Sequence, residues 1–292
     1  MNQIVIEYMA VITITTTGLI GNLSVLYVLS HKQFIKELIF RYLFLVTVLD
    51  LINLLPIWLS IHGDYFQINK YSARCKWSSY IFNVIDSSIP WIVLLSSFER
   101  YLQVYYPNKL MFRNKLKYQI LLIAILACCM LLINLPSYFY VDAIYFSNAT
   151  LCSFISHSSF STFGLDFYFS LYAVLVPCIL MFVSTSLINR KLVQKNLPQI
   201  SQKKFDKNKH LIRMLIGMDL FFLVCNLPPA IVSCTSDLLP AVHFSSLTLN
   251  LVNHLTYVFH SCNFFVYFFC NNLFRKYFYS IFKKKSKIST IT

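Results

Sequence analysis

The sequence predicts an all-α membrane protein: a bundle of seven spanning helices followed by a short amphipathic helix at the membrane surface. Three observations predict this. The chain is 57% hydrophobic, 17% aromatic and only 12% charged, with a mean hydropathy of +0.62, whereas a soluble chain is about 45–50% apolar and about 25% charged. Seven runs of mostly apolar residues reach the roughly 20 residues that a bilayer core demands. The Lys and Arg residues collect in alternate connections, as cytoplasmic loops require.

Several classes are excluded at once. Half the usual charge cannot coat a soluble protein of 292 residues. The many aromatic and branched residues are incompatible with disorder. Nine cysteines fall well short of the roughly 8–10% of a disulfide scaffold. The net charge of +14 resides in short loops, so nucleic acid is not a partner.

The seven spans are, in order, Tyr8–Ser30, Leu38–His62, Cys75–Tyr105, Tyr118–Tyr140, Leu165–Ile188, Leu211–Cys234 and Ser245–Cys270. The third is longer than a bilayer needs, so it tilts or projects inward. The connections are too short for a soluble domain, and the chain is expected to be one receptor-like unit over 1–292. With the N-terminus outside, 22 of the 25 Lys and Arg fall on the inner side; only Lys70, Arg74 and Lys76 are outside. The first 30 residues lack Lys and Arg, so no cleavable signal peptide is expected, and the outer N-terminus is under about ten residues.

After the last span, residues 271–282 form the interfacial helix. Phe274, Tyr277, Phe278, Ile281 and Phe282 recur at helical spacing, flanked by Arg275, Lys276, Lys283, Lys284 and Lys285. Such a face rests on anionic lipid. Residues 283–292 are read as a short basic tail, and Cys270 as a candidate for palmitoylation.

The outer face lies in an oxidising compartment. Cys75 opens the third span and Cys152 lies in the loop after the fourth; a disulfide between them ties that loop over the bundle mouth. Two free thiols are the alternative, and Cys234 is another outer candidate. Asn148 heads an outer sequon and is a glycosylation candidate. The sequon at Asn22 lies inside the first span.

Charged groups inside a bilayer cost about 2.5–3.5 kcal/mol each on insertion scales, so each is a functional hypothesis. They are Asp50 in the second span, Asp86 in the third, Glu99-Arg100 at the inner end of the third, and Asp219 in the sixth. Asn22, Asn226, Asn253, His260 and Asn263 add uncharged polarity.

This set resembles the rhodopsin-like G-protein-coupled receptors. The resemblance is carried by Gly21-Asn22, Leu49-Asp50, Cys75 placed 25 residues before Arg100, Glu99-Arg100-Tyr101, Pro177, Cys225-Asn226-Leu227-Pro228, and Asn263-Phe264-Phe265-Val266-Tyr267 with Phe274 seven residues later. It covers about residues 8 to 282. It implies a plasma-membrane receptor that binds an extracellular ligand and activates a heterotrimeric G protein, without cofactor or metal. Coupling and activation fall to Glu99, Arg100, Tyr101, Asn263 and Tyr267, and the hinge of the sixth helix to Cys225, Asn226 and Pro228. Asn22, Asp50 and Asn263 converge centrally, with His260 nearby. The ligand meets Phe82, Asn83, Asp86, Asn226, Asn253 and Tyr257.

The chain also departs from the family's pattern. Asn226 replaces the usual Trp, Phe264 the usual Pro, and Ile89 the usual Ser beside the sodium site; the fourth span has no Trp. Amine receptors have Asp where Phe82 stands, and the last span has no Lys for retinal. The resemblance is therefore nearest the peptide-receptor branch, with a neuropeptide ligand. The alternatives are a chemosensory or non-peptide receptor, a non-signalling decoy, or a transporter. No nucleophile motif, metal spacing or phosphate loop suggests an enzyme.

Three polar groups keep open readings. His260 is either a satisfied core histidine or the partner of Asp50. Asp86 either answers a ligand cation or bonds Asn226 or Ser87. Asp219 bonds Ser184, Thr185 or Ser186, with no further role assigned.

Overall fold

The computed structural model describes residues 2–62, 72–105, 116–146, 149–154, 167–193, 199–238 and 244–289. Helix α1 (Asn2–Leu29), the short α2 (Lys32–Ile35), α3 (Leu38–His62) and α4 (Ser72–Tyr105) supply the first three spans. The fourth is α5 (Leu116–Ile133) followed by α6 (Leu135–Tyr140). The two part at Asn134 because Pro136 has no N–H to continue the ladder. The fifth combines a π-helical turn, Ser170–Leu175, with α7 (Val176–Val193). The sixth is α8 (Gln199–Leu238). The seventh is α9 (Ser246–Ser261) and α10 (Asn263–Cys270), and the surface helix is α11 (Asn272–Ser289).

The helical bundle is the predicted fold class, with corrections of detail. Among the described residues, six helical stretches are long and apolar enough to cross a bilayer; the seventh is divided at Cys262, although Phe264 stands where a proline would explain a break. The turn closes through Phe265 N–H to the Cys262 carbonyl at 3.0 Å. Helix α1 starts at Asn2 and α8 at Gln199, each ahead of the expected span. Helix α11 runs through Ser289, so most of the expected tail is helical. Hydropathy marks only the lipid-immersed stretch, and no Gly or Pro stops these helices where apolarity ends. The start of α11 is capped by Asn271, whose Oδ1 accepts from the backbone N–H groups of Leu273 (2.9 Å) and Phe274 (3.2 Å).

The loop after the fourth span holds an antiparallel ribbon that the sequence reading missed. Strands β1 (Val141–Phe146) and β2 (Ala149–Phe154) pair with Val141 opposite Phe154 and Ala143 opposite Cys152. The ribbon packs against α4. Cys75, buried in α4, is disulfide-bonded. The Cys152 side chain and all of Asn148 lie outside the described residues.

Tyr42, Val46, Ile89, Ile92, Met218, Phe222, Phe259 and Tyr267 are among the buried residues of the core. Ile20, Leu132, Phe182, Val224 and Phe269 are more than half exposed, as befits a bundle whose solvent is hydrocarbon. Helix α1 approaches α9 very closely. A methyl group at Gly18 would stand 2.7 Å from Ser261 Cβ and 2.8 Å from Leu54 Cδ1.

Candidate functional site

Four helices meet at His260, in the last turn of α9 and 2% exposed. Its Nδ1 lies 2.8 Å from Asp50 Oδ1 on α3, and its Nε2 lies 2.9 Å from Asp86 Oδ1 on α4. Asn263 Nδ2 donates to Asp50 Oδ2 at 2.6 Å. Asn22 Nδ2, on α1, donates to the His260 carbonyl at 2.8 Å, beside the break in the seventh span. The structure thus brings together Asn22, Asp50, His260 and Asn263, and adds Asp86.

Donor counting fixes the charge of this cluster. Each nitrogen–oxygen contact needs one proton. A neutral imidazole supplies one of the two, so the cluster holds one more, on nitrogen or on a carboxyl. With two aspartates, the net charge is −1 either way. The Asp50 side chain is fully buried, while that of Asp86 is 37% exposed, so Asp86 is the open member of the cluster. Among the described residues no His, Cys, Asp or Glu group is arranged to hold a metal ion.

Neither of the partners considered for Asp86 is its partner here. Asn226 donates instead to the Phe222 carbonyl of its own helix at 3.2 Å. Ser87 donates to the Asn83 carbonyl at 2.6 Å and accepts from Asn134 at 3.0 Å. Asn83, expected in the ligand pocket, reaches the other way and donates to Ser137 Oγ on α6 at 3.1 Å. Phe82 is 38% exposed and Tyr257 half-buried; the Asn253 side chain lies outside the described residues.

A second hub was not singled out from sequence. Asn134, fully buried at the α5–α6 break, accepts from the Tyr172 hydroxyl at 2.5 Å. Trp91 Nε1 donates to the Tyr172 carbonyl at 3.0 Å. Tyr172 sits in the π-helical turn, a feature often found at functional sites. Polar aromatic residues within apolar runs were the available signal.

Towards the C-terminal end of α4, Glu99 and Arg100 are 3% and 7% exposed. Glu99 Oε1 accepts from the Tyr42 hydroxyl at 3.0 Å. Glu37, between α2 and α3, is an acidic charge that acts on the Arg100 guanidinium. Neither Tyr42 nor Glu37 was singled out from the sequence. Tyr267 is buried with a hydroxyl that has no hydrogen-bond partner. Phe264 packs on Phe268, Phe274 and Phe278, tying α10 to α11. Of the residues expected to form a hinge, Cys225 is buried and Asn226 and Pro228 are half-buried.

Of the three partners weighed for Asp219, the structure selects Thr185, which donates to Oδ2 at 2.6 Å. The other oxygen, Oδ1, is buried without a partner. Cys270 is half-buried, and its Sγ lies against α8, where a methyl group at Gly217 would stand 2.8 Å away.

Residues 21–272 match the family described as 7 transmembrane receptor (rhodopsin family). A probable G-protein coupled receptor of Caenorhabditis elegans is 25% identical over 251 residues, covering 75% of this chain and 55% of the relative. The chain thus spans little more than half the length of that relative. The chain belongs to the rhodopsin family of seven-transmembrane receptors.

Proposed function

We propose that the chain binds an extracellular peptide and activates a heterotrimeric G protein, with its N-terminus outside and its C-terminus in the cytoplasm. The observation that carries this reading is Arg100. It is a buried cation at the inner end of α4, and a buried charge at a membrane edge is retained for function. Glu99, Tyr101, Asn263 and Tyr267 act with it, and Cys225, Asn226 and Pro228 form the hinge of α8.

On the outer side, Cys75 pairs with Cys152, and Asn148 carries a glycan. The bond holds the β1–β2 ribbon against the mouth of the bundle, a frame suited to a peptide. Asp86 supplies the negative charge that a basic peptide group meets. The basic residues of α11 rest on anionic lipid.

The test is a neuropeptide library screened with a promiscuous G-protein reporter, with biogenic amines as the control set. A peptide response that disappears in Arg100→Ala, at unchanged surface expression, supports the reading. A response to amines alone would overturn the ligand class, and an undiminished response in Arg100→Ala would overturn the coupling role.

A further inference from the structure

A groove of about 500 Å³ opens between α4, α5 and α7. Its walls include Leu94 and Phe98 of α4, Ile125 and Leu126 of α5, and Val183 and Leu187 of α7. All six belong to helices apolar enough to span a bilayer, so the surroundings are hydrocarbon. The volume lies within the roughly 300–1,000 Å³ of small-molecule sites. Along α4 the groove runs from Trp91 to Tyr101, about 15 Å at the rise of an α-helix and so half of a bilayer core of about 30 Å.

Its interior asks for nothing polar. Trp91 Nε1 already donates to the Tyr172 carbonyl, and Ser184 Oγ to the Met181 carbonyl at 3.0 Å. Its end asks for a negative charge. Tyr101 and Leu187 close the groove, and one turn further along the same helix faces lie Tyr105 and Lys191. The Tyr101 and Tyr105 rings are 4.5 Å apart. Tyr105 donates to the Leu187 carbonyl at 3.1 Å, and Lys191 Nζ is held 5.4 Å from the centre of the Tyr105 ring. Among the described residues no carboxylate pairs with Lys191.

We infer that this groove is the binding slot of one anionic phospholipid of the inner leaflet, an acyl chain lying between α4, α5 and α7 and the headgroup answered by Lys191. A slot half the bilayer in length, apolar inside and cationic at its mouth, has the polarity of such a lipid. The occupant bridges α4 and α7 next to Arg100, so leaflet charge would bear on the signalling end of the bundle. This site is separate from the basic face of α11.

Trp91 lines the slot and reports its contents. In a variant whose other tryptophans are replaced (Trp58→Phe, Trp77→Phe), phosphatidylserine brominated near its chain end is added to phosphatidylcholine nanodiscs. It should quench Trp91 fluorescence at least about twofold more than equally brominated phosphatidylcholine at the same mole fraction. Lys191→Gln should remove that difference and Lys191→Arg should keep it. Val183→Phe should reduce quenching by both lipids. Equal quenching by the two headgroups would overturn the proposal. So would a phosphatidylserine preference that persists in Lys191→Gln, which would put the anionic headgroup elsewhere, as on α11.

Discussion

Asp86 and His260 are 174 positions apart in the chain and meet at 2.9 Å across the bundle, joining α4 to α9. The other ring nitrogen of His260 is held by Asp50, so one imidazole fastens three helices. Asp86→Asn removes the reachable charge. It should weaken a cationic agonist by about 1.5–3 kcal/mol, the range for a hydrogen bond to a charged group, and leave an uncharged analogue nearly unaffected. Combined with His260→Gln, the losses should fall short of additive by at least about 0.5 kcal/mol, because both variants break one contact. Competition binding on the four proteins measures this; additive losses would mean that the two side chains act independently.

The same cluster closes the place where similar receptors hold sodium. Both Asp50 oxygens are engaged, by His260 and Asn263, and Ile89 brings no oxygen. Replacing sodium with a large organic cation at constant ionic strength should therefore change agonist affinity by less than about twofold, or about 0.4 kcal/mol. A several-fold rise in affinity that vanishes in Asp50→Asn would refute this.

Tyr42→Phe deletes the hydroxyl that Glu99 accepts from and nothing else of bulk. A buried carboxylate that loses one of its donors costs about 1–3 kcal/mol. That cost falls on the arrangement in which Glu99 is buried beside Arg100, so agonist-free signalling per surface receptor should rise several-fold by the same reasoning. Glu99→Gln should do likewise. Basal second-messenger levels equal to wild type in both variants would remove Glu99 from the restraint.

Two glycines mark helix contacts that differ in how they can yield. At Gly217 the obstruction to a methyl group is the Cys270 sulfur, with Cys270 Cβ at an ordinary 3.8 Å. Gly217→Ala should cost about 1–3 kcal/mol, and Cys270→Ala in the same chain should restore the melting temperature. At Gly18 the obstruction includes Ser261 Cβ and Leu54. Gly18→Ala should therefore be the more damaging of the two, and Ser261→Ala should not rescue it. Thermal denaturation of detergent-purified protein distinguishes the two cases.

Much of this was legible in the residues, and what was not has a common cause. Hydropathy located the spans because the bilayer imposes length and apolarity on each separately. Asp50 and His260 stood out because a titratable side chain in hydrocarbon needs a partner. Which partner is a matter of rotation between helices, and for that the sequence offers only candidates. Hence Thr185 was one of three for Asp219, and His260 was not considered for Asp86. The break at Cys262 was hidden because its usual cause, a proline, is absent. The Asn271 cap was readable from its residue type and position, since Asn before a helical run accepts from the free N–H groups. The ribbon around Cys152 was hidden by a loop with no strong alternation.

The π-helical turn at Ser170–Leu175 bears on how this chain is aligned with its relatives. A turn closed from i to i+5 holds one residue more than the α-helical turn in its place. A relative with an uninterrupted helix there needs a one-residue gap, and an alignment without it shifts every position on one side of the turn. Pro177 lies beyond the turn and Tyr168 before it, so matching the proline alone would set the wrong residue against Tyr172. The hydroxyl that reaches Asn134 would then be credited to a neighbour that faces lipid. Comparison by position in the bundle avoids this error, and comparison by sequence alone invites it.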